Sequence, residues 1–139
     1  MTNSSSKSYN YKENCYTCFK NRKKNSIIDQ YVIYNNPILK YEIHKDIRKR
    51  PIIIVTPHEH VSSLEELEPL GRFSKIIKSV KQYLKSRGVD GFKITISDGN
   101  WQRHDHLHIK FELEADDIKK VIKGYYCTVC KDIDSIKSV

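Results

Sequence analysis

Apolar and polar residues alternate strictly in two neighbouring stretches of this 139-residue chain. In "GFKITISDG", Phe92, Ile94 and Ile96 alternate with Lys93, Thr95 and Ser97, the pattern of a half-buried strand. In "WQRHDHLHIKFELE", Leu107, Ile109, Phe111 and Leu113 supply a core-facing side. Side chains alternate across a strand with a period of two, so His104, His106 and His108 are expected together on its other face. The turn at Asp98, Gly99 and Asn100 joins these two strands. Upstream, residues 30–34 and 38–44 flank Asn-Asn-Pro and predict a hairpin. The β-branched run at 51–57 predicts a central strand.

The period changes to 3.6 over residues 73–88. Phe73, Ile76, Ile77, Val80, Tyr83 and Leu84 form one stripe, and Lys75, Lys78, Lys81 and Lys85 lie on the opposite side. Gly88 marks the stop. Before this helix, Ser63 and Glu66 have capping-box spacing, and Pro69 interrupts or restarts the helical run. A last helix is predicted over 115–124. These elements predict an α+β fold: an antiparallel sheet of about five strands with one long and one or two short helices packed on it. Residues 1–14, rich in Ser, Asn and Tyr, read as a disordered tail, and 15–139 as a single domain.

Composition narrows the partners. The longest aliphatic run, Ile52 to Val55, is far shorter than the roughly 20 residues of a membrane-spanning helix. The N-terminus lacks the apolar segment of a secretory signal, so an intracellular protein, cytoplasmic or nuclear, with no membrane partner is expected. A net charge of +8 favours anionic partners. Basic residues gather at 20–25 and 44–50, loops that could also touch RNA or DNA.

Four cysteines form two Cys-x-x-Cys pairs, Cys15 with Cys18 and Cys127 with Cys130. In a reducing compartment such pairs point to zinc rather than to disulfides. One histidine on a strand is ordinarily structural. Three in register pack poorly and repel one another when protonated, so they point to a ligand, a metal or a catalytic task. Neutral imidazole can attack phosphorus, bind zinc, or move protons near neutral pH. His60, after the 51–57 strand and before a helix cap, is a further candidate ligand.

The stretch "HDHLHIK" resembles the His-φ-His-φ-His-φ-φ pattern of the histidine triad nucleotide hydrolases and transferases, where φ is hydrophobic. "IIIVTPHEHVSSLEEL" is similar to that family's strand, Pro-x-x-His element and following helix. "GFKITISDG" corresponds to the strand leading into the triad, and "CYTC" takes the place of the N-terminal cysteine pair in zinc-bearing members. The likeness covers residues 15 to about 113. Two positions depart from the pattern: Asp105 and Lys110 stand where hydrophobic residues belong.

The resemblance implies a hydrolase or nucleotidyl transferase acting at an α-phosphate, with a nucleotide or nucleotide conjugate as substrate. It implies His106 as the nucleophile that forms a nucleotidyl-histidine intermediate, assisted by His108. It implies a structural zinc on Cys15, Cys18, His60 and His104, and a two-fold dimer. Asp98, Gln102 and Lys110 are the expected phosphate- or nucleotide-binding residues, and Trp101 either stacks on a base or plugs the loop. Two arrangements of zinc stay open: the two-cysteine, two-histidine site, and a four-cysteine site that adds Cys127 and Cys130.

Two other functions fit parts of the pattern. A His-hydrophobe-His endonuclease would hold a divalent metal on His106 and His108 and attack DNA with Tyr83, Tyr125 or Tyr126. A zinc-stapled module would bind nucleic acid through its lysines without turnover, with steep salt dependence.

Overall fold

A computed structural model describes residues 15, 17–24 and 26–125. The expected tail over 1–14, the second cysteine pair Cys127 and Cys130, and Tyr126 lie outside the described residues. After a 3-10 segment, Phe19–Lys24, and a single helical turn, α1 (Ser26–Asp29), five strands follow. They are β1 (Val32–Asn36), β2 (Tyr41–Lys45), β3 (Ile52–Pro57), β4 (Lys93–Ile96) and β5 (Ile109–Glu112). The long helix α2 (Arg72–Ser86) connects β3 to β4, and a short helix α3 (Ala115–Val121) follows β5. The sheet order is β1-β2-β3-β5-β4, antiparallel throughout, with β3 at the centre. Fold class and element order are as the hydrophobic pattern predicts.

Alternation sorts the sheet into two faces. Tyr41 and Ile43 of β2, Ile53 and Val55 of β3, and Ile109 and Phe111 of β5 are fully buried in one core with Ile76, Val80 and Leu84 of α2. Burying each such aliphatic side chain contributes roughly 1.5–3 kcal/mol, which is why the helix stripe docks on this face. The helix ends where Gly88 adopts φ +84°, a left-handed conformation that glycine takes at no steric cost. Glu66 accepts from the backbone N–H groups of Ser62 and Ser63 at 2.7 and 3.2 Å, as the capping box requires, but the turn it opens (Leu64–Leu67) is 3-10. A second 3-10 turn begins at Pro69, and α2 restarts immediately after it.

The other sheet face is polar. It presents Glu42 and His44 of β2, Thr56 of β3 and Lys110 of β5, and it is aligned by register. His44 pairs with Ile54, Ile54 with Lys110, and Lys110 with Thr95.

Candidate active site: a cysteine–histidine cluster beside a cationic cavity

The histidine segment does not run as one strand. Ladder pairing with β3 begins at Ile109, and the chain bends at residues 105–106. Period-two alternation holds only within a ladder, so the three rings do not share one face. His104 and His108 stack with centroids 4.4 Å apart and planes 12° from parallel. His106 turns edge-on to His108, at 84°, and is buried with 1% exposure.

That rotation carries His106 to the cysteines. Its Nδ1 lies 3.5 Å from Sγ of Cys15 and 3.5 Å from Sγ of Cys18. His60 joins from the loop after β3, its Nδ1 3.4 Å from Sγ of Cys18. One donor atom from each of Cys15, Cys18, His60 and His106 falls within 4.8 Å of all the others. Of the expected set Cys15, Cys18, His60 and His104, the first three meet here, and His106 rather than His104 is the fourth member of the cluster.

This donor set fits zinc. Zinc–sulfur bonds of about 2.3 Å and zinc–nitrogen bonds of about 2.0 Å give tetrahedral edges of about 3.3–3.8 Å, matching the contacts above. The outward nitrogens agree. His106 Nε2 lies 2.7 Å from the carbonyl oxygen of Pro57, which can only accept, so Nε2 carries the proton and Nδ1 the lone pair. His60 Nε2 faces the Asp105 carboxylate at 3.0 Å, and Ser62 Oγ donates to the other oxygen of Asp105 at 3.1 Å. Metal-binding histidines characteristically give their second ring N–H to a carbonyl or carboxylate. The carboxylate of Asp105, out of place in a hydrophobic pattern, thereby finds its partner.

On the polar sheet face lies a cavity of about 620 Å³, a size suited to a small ligand. His44, His104, His108 and Lys110 line it, with Lys45, Arg48, Arg50 and Arg103. Its lining acid, Asp46, is paired to Arg50 through contacts of 2.8 and 3.0 Å. The cavity is thus strongly cationic. Trp101 and Ile47 stand at its lining, 82% and 61% exposed.

His108 Nδ1 lies 2.7 Å from the carbonyl oxygen of His106 and so must donate its proton there. The lone pair then belongs to Nε2. Burial, followed by the neighbouring imidazoles, pushes its pKa down to about 3, while the hydrogen bond to the carbonyl works the other way. The ring is neutral across the physiological range, as a nucleophile requires. Burial and the charges of Lys110 and Arg103 also lower the pKa of His104.

The other expected residues divide. Gln102 and Lys110 line the cavity, and the Gln102 amide is fixed by donating to the carbonyls of Ser62 and His104, both at 2.8 Å. Asp98 lies at the start of the 3-10 turn Gly99–Trp101, outside that lining. Among the described residues, His106 and His108 do not converge as an endonuclease pair: their ring centroids are 6.4 Å apart and His106 faces the cysteines. Tyr83 stacks under Arg87, and Tyr125 donates to the Lys49 carbonyl at 2.6 Å. Sequence reasoning missed His44, Asp46, Arg50 and Arg103 as cavity residues. The basic run at 44–50 was a signal, but only the folded sheet shows which of its members line one cavity with Lys110 of β5.

No protein-family model matches the chain, and no curated protein sequence does. Solved structures do. A histidine triad protein from Clostridium difficile is similar with a TM-score of 0.57 and 23% identity, over 70% of this chain and 90% of its own. A HIT family hydrolase from Clostridium thermocellum gives 0.59 and 21% over 76% and 94%. A Hit-like protein involved in cell-cycle regulation from Bartonella henselae gives 0.54 and 18% over 80% and 96%. The fold is that of the histidine triad proteins, in a divergent sequence.

Proposed function

We propose that this chain is a nucleotide hydrolase or nucleotidyl transferase in which His108 attacks an α-phosphate. The triad then begins two residues later, at His106. Counted from His106, the seven positions read His106-Leu107-His108-Ile109-Lys110-Phe111-Glu112: three of the four φ positions are hydrophobic, Glu112 takes the last, and Asp105 falls outside. The loop from Gly99 to the first triad residue is also two residues longer under this count. His106, the first member, belongs to the metal site, and Lys110 stands third.

One observation carries the proposal: a neutral imidazole with its lone pair on Nε2, in a cavity lined by five lysine and arginine side chains. A phosphate drawn in by those cations neutralises them, and Lys110, with three donors and no acceptor, stabilises charge on its oxygens. Nε2 attacks phosphorus, the leaving group departs, and a nucleotidyl-His108 intermediate remains for water or another acceptor. Zinc on Cys15, Cys18, His60 and His106 would supply structure, tying the N-terminal segment to the loop that presents His108. Trp101 offers a face for a base, and the basic loop at 44–50 a path for an RNA or DNA extension.

The test incubates the protein and its His108→Ala variant with α-labelled nucleotides bearing each base. Wild type is expected to form an acid-labile labelled adduct, and His108→Ala none. His106→Ala is expected to lose zinc. Labelling that survives in His108→Ala refutes the assignment.

A further inference from the structure

The reaction proposed above needs a group that gives a proton to the leaving atom and later takes one from water. Among the cavity-lining side chains, lysine and arginine donate but cannot accept. Asp46 is held in its ion pair with Arg50, which leaves, beside the hydroxyls of Thr17, Tyr31 and Ser97, three imidazoles: the nucleophile His108, its stacked neighbour His104, and His44. His104 is stacked flat on His108, its ring centroid 4.4 Å away, beside the cations Arg103 and Lys110 of the same lining.

His44 is placed differently. It is buried on β2, and its Nε2 lies 3.2 Å from Oε1 of Glu42 and 3.0 Å from Oγ1 of Thr56. Glu42 and Thr56 are buried too. A buried carboxylate is costly unless a cation or a donor compensates it, and here the imidazole does. With Nε2–H given to Glu42, Nδ1 is the nitrogen that can exchange a proton with a cavity ligand. The pair repeats the base-and-orienter arrangement by which carboxylates fix catalytic histidines. His44 and Lys110 flank β3 through Ile54, so their backbones stand roughly 10 Å apart. His108 lines the same cavity as His44 and Lys110, so a phosphate bound there can meet all three.

We propose that His44, oriented by Glu42 and Thr56, is a second catalytic imidazole that protonates the leaving group and then deprotonates the attacking water. The inference rests on His108 as nucleophile. In the first step Nε2 of His108 bonds to phosphorus, the bond from phosphorus to the leaving oxygen or nitrogen breaks, and the Nδ1 proton of His44 goes to that atom. In the second step water oxygen bonds to phosphorus and the His108–phosphorus bond breaks. One water proton returns to His44 Nδ1, and His108 recovers its lone pair.

The experiment compares two substrates sharing the base that labels fastest. In the p-nitrophenyl ester of the nucleoside 5′-phosphate, the leaving phenolate needs no proton. In the 5′-phosphoramidate, the leaving amine does. His44→Gln is expected to lower kcat on the phosphoramidate about 100-fold or more with little change in KM. On the ester it is expected to release a burst of one nitrophenolate per protein and then stall, with labelled His108 accumulating. Glu42→Gln, which keeps a hydrogen-bonding side chain, is expected to show the same split in weaker form, and it replaces His44→Gln if that variant fails to retain zinc. Equal losses on both substrates without a burst overturn the role of His44 and leave His108 standing. Wild type that labels with no nucleotide overturns both.

Discussion

Asp105 shows how one side chain can connect two parts of the site. Its two oxygens engage His60 Nε2 at 3.0 Å and Ser62 Oγ at 3.1 Å, so it orients a ring of the cysteine–histidine cluster from the histidine segment itself. Such outer partners typically change metal affinity by about 10–100-fold when removed. Asp105→Ala is therefore expected to weaken zinc binding by about that factor, measured by competition with a chromophoric chelator, and Asp105→Asn by less. Equal affinity in Asp105→Ala would mean that the contact orients nothing. This residue also shows what was legible at this scale. Residue types at the site, two cysteines and a row of histidines, were readable directly. Their partners were not, because alternation assumes a ladder and the bend at 105–106 lies before it. Asp105 at a nominally hydrophobic position was the mark of the displaced register, and it was legible only as an anomaly.

At the scale of elements, the core elements were the most legible because burial leaves few choices. Ile76, Val80 and Leu84 face the sheet as their 3.6 spacing requires. Leu84→Ala is expected to destabilise the fold by about 2–5 kcal/mol in urea unfolding, and Lys81→Ala on the exposed side by less than about 0.5 kcal/mol. Comparable losses at both positions would refute this packing. Edge strand β4 was less legible: Phe92 and Ile96 pack against the core, but Ile94, expected on the same buried side, remains 38% exposed.

The loop between β2 and β3 contributes through charge instead. Burial raises the pKa of Asp46, but hydrogen bonds from the Arg50 side chain and backbone, with the Arg50 charge, outweigh it and hold the carboxyl below its usual range. A depressed folded-state pKa gives stability that is present above the unfolded value, about 3.9, and lost as pH falls through the folded one. Asp46→Asn is expected to cost about 1–2 kcal/mol at pH 6. The difference from wild type should shrink steadily below about pH 4, read from urea midpoints at each pH. A gap that persists unchanged at low pH would assign the loss to packing.

For the molecule as a whole, the cysteine–histidine cluster acts as a clasp between distant parts of the chain. Cys15 and His106 are 91 positions apart, and Cys18 and His60 are 42 apart. Other ties at this junction include the Phe19 N–H donating to the His58 carbonyl at 2.9 Å and the stacked rings of those two residues. A metal that binds the folded state stabilises it by mass action, about 4 kcal/mol when free metal exceeds its dissociation constant 1,000-fold. Chelation is thus expected to lower the melting temperature of wild type, and Cys18→Ser to bring it to the same value and abolish the chelator's effect. Because His106 belongs to the clasp and its carbonyl accepts from His108 Nδ1, removing the metal should also slow labelling of His108 before the sheet unfolds. Far-ultraviolet circular dichroism that stays unchanged while labelling falls would separate this local loosening from global unfolding. A protein whose melting and labelling both ignore chelation, with Cys18→Ser equally unaffected, would show that the cluster holds the fold without metal.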